Sequence, residues 1–238
     1  MKISSATSVG KVRPLNEDSF YVSEESLNGA VLAVVADGMG GHNAGEVASA
    51  EAVKIIKDGI NCSNSDTKKA LCDAIDIANA TIYKMSVKNP QLHGMGTTVT
   101  ACVICENKLT AAHVGDSRLY LLRDGEIKQV TKDHSLVEML IENGTITKEA
   151  AKSHPQKNVI TRAIGTDNTV EADTYEFSVT EGDIILLCSD GLTNMVDEEK
   201  ILSLVWGKKS FENLALKLIK EAEGAGGFDN ITAVLIKL

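Results

Sequence analysis

Between residues 97 and 130 the sequence runs through four β-type segments in succession, and this run constrains the fold more than any other feature. Residues 97–105, 109–114, 119–123 and 126–130 read as strands, with Glu106-Asn107-Lys108 and Asp124-Gly125 as turns. Residues 30–36, 175–179, 183–189 and 230–237 add further strands, the middle two joined by Glu181-Gly182. Ala48, Ala52, Ile55 and Ile56 recur at helical spacing. So do Leu71, Ile75, Ala78, Ile82 and Met85, ahead of Pro90. Helical segments are also expected at 134–143, 147–154, 198–205 and 211–222, while the stretch through Val22 is mixed. Helices flanking hairpin-connected strands, without strict alternation, predict an α+β domain with antiparallel sheets. The helices near 134–154 interrupt the strands and form the element most able to move.

The 238 residues fit one domain, read as 1–238, with no low-complexity tract, repeat or linker. A formal net charge of −9 argues against nucleic acid, whose phosphates select Lys and Arg. No segment reads as a signal peptide or membrane span, so the expected location is the cytoplasm. Five cysteines show no disulfide framework. Cys102 and Cys105 form a CxxC, but three positions apart on a strand they face opposite sides of the sheet, which favours buried core over metal or redox chemistry. No HxH or HExxH suggests zinc.

Asp37, Asp190 and Asp229 share one context: each lies at a strand end, beside glycine or a glycine-rich loop. An Asp-Gly pair alone is most simply a turn, as at Asp124-Gly125. At Asp37 the glycines Gly38, Gly40 and Gly41 exceed what a hairpin needs, and a helix follows. Carboxylates without His or Cys partners select Mg²⁺ or Mn²⁺. Two such ions about 3.5–4 Å apart can activate a bridging water for in-line attack on phosphorus. The planar fork of Arg13 suits two phosphate oxygens.

These residues belong to a longer series: Arg13-Pro14-Leu15-Asn16-Glu17-Asp18, Asp37-Gly38-Met39-Gly40-Gly41, Gly94-Met95-Gly96-Thr97-Thr98, Val114-Gly115-Asp116-Ser117-Arg118, Thr131-Lys132-Asp133-His134-Ser135, Ser189-Asp190-Gly191-Leu192, and Phe228-Asp229-Asn230-Ile231-Thr232. In this order they resemble the metal-dependent protein serine/threonine phosphatases, the type 2C or PPM group, in its bacterial stand-alone form. The resemblance implies a four-layer αββα sandwich of two packed antiparallel sheets flanked by helices. It implies hydrolysis of phosphoserine and phosphothreonine in proteins at a centre of two Mn²⁺ or Mg²⁺ ions. Asp37 would bridge both ions, the Gly38 carbonyl would bind the first, and Asp190 and Asp229 would complete the second. Glu17 and Asp18 would orient metal waters, Arg13 would bind substrate phosphate, and Asp116 would hold a third ion with Asp190. Residues 134–165 would form a mobile flap. Phosphoprotein substrates, an opposing serine/threonine kinase and a monomeric state are implied as well.

Animal-type members carry His where this chain has Met39. His42 and a metal-bound water are then the candidate proton donors to the leaving alcohol. His113 reads as a satisfied residue at a strand end. Two rival functions have less support. The segment 184–191 resembles the haloacid-dehalogenase motif, but Cys188 stands where its nucleophilic Asp would be. A catalytically dead scaffold would have lost metal carboxylates, and here they are retained.

Overall fold

A computed structural model describes residues 1–23, 29–40, 44–60, 66–208 and 210–238. Along the chain come β1 (Lys2–Ser8), β2 (Asp18–Val22), β3 (Ala30–Met39), α1 (Ala44–Gly59) and α2 (Thr67–Lys88). After a 3₁₀ turn at Pro90–Leu92 follow β4 (Gly96–Thr97), β5 (Val99–Cys105), β6 (Lys108–Val114), β7 (Arg118–Arg123) and β8 (Glu126–Gln129). Then come α3 (Leu136–Glu142), α4 (Lys148–Lys152), β9 (Asp173–Ser178), β10 (Ile184–Cys188), α5 (Asp190–Thr193), α6 (Glu198–Val205), α7 (Leu214–Gly224) and β11 (Ile231–Lys237).

The strands form two antiparallel sheets, in the orders β1-β11-β10-β7-β8 and β2-β3-β5-β6-β9, with β4 paired to the end of β3. The hairpin turns follow their residues. Asp124 and Gly125 both take positive φ, at 52° and 81°, as a two-residue turn matched to strand twist requires. Between the sheets lies an apolar layer in which Val31, Ala33, Val35, Cys102 and Ile104 meet Leu119, Ile185, Leu187, Val234 and Ile236. On the outer face of the six-stranded sheet, Leu32, Val34 and Ala101 pack with Ala48, Ile56, Leu71 and Ile82 of α1 and α2. On the other outer face, Leu186, Ala233 and Leu235 pack with Ile201, Leu218 and Ile219 of α6 and α7. The fold is thus α+β in four layers, αββα. Cys102 lies in the inter-sheet layer, whereas Cys105 packs on the helix side, so the CxxC straddles the sheet.

Strands buried on both faces read as continuous apolar runs and are legible. The mixed N-terminal stretch instead forms β1 and β2, each at an edge of its sheet with all but one residue partly or fully exposed. Two connections differ from simple hairpins. Residues 115–117 and 179–183 each carry the chain from the six-stranded sheet to the five-stranded one. The second crossing is pinned by Asp183, whose carboxylate accepts Arg123 Nε at 2.8 Å, Arg123 Nη2 at 2.5 Å and the Thr180 N–H at 2.8 Å.

Residues between β8 and β9 leave the sheets and return. Leu136 N–H donates to the Val159 carbonyl and Thr161 N–H to that of His134, both at 2.8 Å. Thr97 and Ile164 exchange N–H···O bonds of 3.0 and 2.8 Å. Within this excursion α3 buries no residue and α4 only Ala151.

Burial acts to raise the Asp183 pKa, but the Arg123 guanidinium and the Thr180 N–H outweigh it and hold the carboxyl below its ordinary value. A depressed folded-state pKa adds stability above the unfolded value of about 3.9, lost as pH falls through the folded value. Asp183→Asn should therefore cost about 1–3 kcal/mol near neutral pH. Urea unfolding should show the deficit shrinking as pH falls below 4.

Candidate active site

β3 does not end at Ala36, where the apolar run stops, but continues through Asp37 and Gly38 to Met39. There Gly38 pairs with Thr97 and Met39 with Gly96. The backbone of Asp37 is locked by Thr97 and Thr98. Its N–H donates to Thr98 Oγ1 at 2.9 Å, and its carbonyl accepts the Thr98 N–H at 2.8 Å and Thr97 Oγ1 at 2.9 Å. Glycine at 38 is steric: a Cβ would lie 2.2 Å from the Gly45 carbonyl oxygen and 2.6 Å from that of Glu17. The first turn of α1 and the Glu17 backbone thereby close on the strand.

Asp18 is the register partner of Asp37 on β2. Its Oδ2 accepts Ser189 Oγ and Thr232 Oγ1, both at 2.7 Å. Because β2 belongs to one sheet and Ser189 and Thr232 flank β10 and begin β11 in the other, this carboxylate ties the two sheets at the site. Thr232 Oγ1 lies 2.8 Å from Thr7 Oγ1, which in turn accepts Asn16 Nδ2 at 2.9 Å. Oδ1 of Asp18 is buried with no hydrogen-bond partner among the described residues.

Asp190 opens α5, and its Oδ2 accepts Asn194 Nδ2 at 2.9 Å. The next residue has to be glycine, since a Cβ at Gly191 would lie 1.9 Å from the Asn230 carbonyl oxygen. Asp229 accepts Arg13 Nη2 on Oδ2 and the Asn230 N–H on Oδ1, each at 2.9 Å. Asn230 had no assigned role in the sequence, yet it organises the N-terminal loop. Its Oδ1 accepts the Glu17 N–H at 2.8 Å, and its Nδ2 donates to the carbonyls of Val9 and Leu15 at 3.0 and 2.9 Å.

Asp116 sits in the crossing between β6 and β7. Next to it Ser117 Oγ lies 2.8 Å from Thr98 Oγ1. Arg118 forms a forked pair with Asp133, at 3.0 Å through Nε and 2.7 Å through Nη2. His134 clasps the same crossing: its N–H donates to the Gly115 carbonyl at 2.7 Å and its Nδ1 accepts the Gly115 N–H at 3.0 Å. His113 is fully buried between Thr100 and the Lys132 carbonyl, and burial pushes its pKa down to about 3, so it is a neutral structural residue.

The eight predicted positions, Arg13, Glu17, Asp18, Asp37, Gly38, Asp116, Asp190 and Asp229, thus converge at one end of the two sheets. The electrostatics report the crowding. Burial raises the pKa of Asp37 well above its ordinary value, and Asp18, Asp190, Asp116 and Asp229 add to the rise. Asp116 is raised in the same way by burial and then by Asp190. Burial and then Asp229 raise Asp190, opposed by its contacts with Asp37, Arg118 and Asn194. Asp18 is pushed up to about 7, chiefly by burial. Burial also raises Glu17, with Arg13 opposing. Carboxylates so placed resist ionising unless a cation joins them. The donors are all oxygen, and one buried oxygen is left over, which fits a hard divalent ion. Among the described residues no three His, Cys, Asp or Glu side chains already stand together so as to hold an ion by themselves. That is compatible with ions such as Mg²⁺, which keep much of their water. His42 lies outside the described residues; the Met39 methyl lies against Gly96 and offers no proton.

The sequence profile of the family described as Protein phosphatase 2C matches residues 8–220. The serine/threonine phosphatase stp of Listeria monocytogenes serotype 4b is 40% identical over 236 residues, covering 97% of this chain and 93% of that one. Among solved structures, the Mycobacterium tuberculosis serine/threonine phosphatase PstP/Ppp superposes with a TM-score of 0.92 at 39% identity, covering 100% of this chain and 98% of that one. The catalytic domain of the phosphatase PstP in complex with two manganese ions matches with a TM-score of 0.88 at 38% identity, covering 98% of this chain and 96% of that one. Fold, motif order and similarity over nearly the whole length agree: the chain belongs to the protein phosphatase 2C family.

Proposed function

We propose that this protein hydrolyses phosphoserine and phosphothreonine in proteins, using two Mn²⁺ or Mg²⁺ ions and, at Asp116, a third. The observation that carries the reading is the convergence of the partly exposed Asp37, Asp190 and Asp229 around the buried Asp18, each close enough to act on another's ionisation. Asp37, the Gly38 carbonyl, Asp190 and Asp229 would hold the pair, and Asp116 with Asp190 the third. Bound there, such ions supply an activated water and neutralise charge on the phosphoryl group.

The chain's own residues do the rest. Arg13, half-exposed, spends one Nη2 hydrogen on Asp229 and keeps others for phosphate oxygens. Partial burial opposes its charge, but Asp229, Glu17 and Asp37 together hold its pKa above the ordinary value, so it stays cationic. Glu17 and the free Oδ1 of Asp18 accept hydrogen bonds from ordered water. Met39 carries no proton, and of the two remaining donors water at the site, rather than His42, protonates the departing alkoxide in this reading. The excursion at residues 134–165 acts as a flap, held at its stem by the 134–136 and 159–161 pairing and exposed at its tip. On the family resemblance we place the protein in the cytoplasm as a monomer opposing a serine/threonine kinase. No helix of the described residues is long and apolar enough to cross a membrane.

Asp37→Ala should abolish tight Mn²⁺ binding in calorimetric titration and lower phosphate release from a phosphothreonine peptide at least about a hundredfold. EDTA should stop the wild type as completely; unaltered binding in the variant would remove Asp37 from the centre. Arg13→Ala should raise KM for the peptide about 10- to 100-fold, the loss of a charge-assisted contact, while Mn²⁺ binding should not weaken, since the guanidinium that competes for Asp229 is gone. Arg13→Lys should undo part of the rise in KM.

Asp18 also predicts a pH effect. Its folded pKa, about 7, exceeds the unfolded value of about 3.9, so between them the folded state binds more protons. In EDTA the melting temperature should rise as pH falls from 8 to 6, with a smaller slope in Asp18→Asn. Mn²⁺ has to displace those protons, so its affinity should weaken over the same interval.

A further inference from the structure

At the mouth of the site the chain exposes apolar side chains that neither the core nor the phosphate chemistry uses. Val9 is 36% exposed, Val12 61% and Phe228 61%. Scattered exposed hydrophobics are ordinary, but these three sit on two loops that are fastened together. Lys11 N–H donates to the Gly227 carbonyl at 2.8 Å, Asn230 Nδ2 to that of Val9 at 3.0 Å, and Arg13 Nη2 to Asp229 at 2.9 Å. Val12 directly precedes the arginine of that ion pair and Phe228 directly precedes its aspartate.

The aromatic ring is also seated. Gly226 and Gly227 take φ values of +138° and +57°, and a Cβ at Gly226 would lie 2.6 Å from Phe228 Cε2. The glycine therefore makes room for the ring, which rests against the loop backbone instead of sweeping through solvent. A held aromatic loses little side-chain entropy on binding, which suits it as a contact surface.

The geometry points to Phe228, with Val12, as an apolar shelf that receives a hydrophobic side chain of the substrate polypeptide within two residues of the phosphorylated one. The inference rests on the phosphatase reading, which puts the substrate phosphate on Arg13. An extended peptide advances about 3.3–3.6 Å per residue, so a side chain one or two positions away reaches the loops on either side of that arginine. The occupant is apolar because what faces it is valine and phenylalanine.

The test is a set of phosphothreonine peptides in which each of the two positions on either side of phosphothreonine is Leu in one member and Ser in its pair, assayed with Mn²⁺. At one or more positions the wild type should prefer Leu about five- to tenfold in kcat/KM, carried by KM; tenfold corresponds to about 1.4 kcal/mol. In Phe228→Ser that ratio should fall to about one, in Phe228→Leu it should persist, and in Val12→Ser it should shrink. A ratio of one at every position in the wild type, or an unchanged ratio in Phe228→Ser, overturns the shelf. Should Phe228→Ser fail to fold, an unchanged ratio in Val12→Ser overturns it equally. Wild type that releases phosphate from no peptide overturns the phosphatase reading itself, and the shelf with it.

Discussion

Carboxylates crowded together in a half-buried site repel one another, and the rest of this molecule is arranged around holding them there. Burial and neighbouring carboxylates oppose the ionisation of Asp37 and Asp116, and burial and Asp229 oppose that of Asp190. An isolated loop carrying such residues would open to relieve the repulsion. Here each is fixed by backbone that has no freedom to retreat: Asp37 inside a strand paired on both sides, Asp190 at the start of a helix turn, Asp229 held at both oxygens. The apolar layers fix these backbones, so the core supplies the free energy that keeps the site assembled.

The two-sheet architecture explains why the site lies at one end. Asp37 comes from the six-stranded sheet, Asp190 and Asp229 from the ends of β10 and β11 in the five-stranded one, and Asp116 from the crossing between them. A sheet slip of one residue would turn each side chain to the opposite face. Register is therefore a condition for function as well as for packing. Asp18 enforces it directly, since Ser189 and Thr232 of one sheet reach its carboxylate on the other.

Legibility followed burial and sequence distance. Strands covered on both faces, such as β3, β10 and β11, are apolar runs that any reading finds. Edge strands β1 and β2 mix polar and apolar residues because solvent covers part of them, and they escaped. The extent of β3 was misjudged at Gly38: glycine there marks a close approach of α1, not the start of a loop. Asp37, Asp190 and Asp229 stood out by position and flanking glycine alone. Arg13 is suggested by its planar fork, whereas Glu17, Asp18 and Asp116 emerge only through the ordered resemblance. The bonds from Ser189 and Thr232 to Asp18 span 171 and 214 residues of sequence, and no local pattern encodes such a pairing. The available hint was small polar residues at the ends of otherwise apolar strands.

Under the proposed assignment, Asn230 makes the binding of cation and phosphate interdependent. Its side chain holds the backbone of Val9, Leu15 and Glu17, while its own N–H holds Asp229. Arg13 lies on the segment so fastened and bonds to the same aspartate. Under the proposed assignment, a cation that recruits Asp229 competes with Arg13 for its carboxylate and frees guanidinium hydrogens for the phosphate. The arginine cannot drift away meanwhile, because its loop is tied to β11 through Asn230 and not through the ion pair alone. The phosphate-binding group is thereby kept within reach of the metal ligands by neutral hydrogen bonds that neither ligand disturbs.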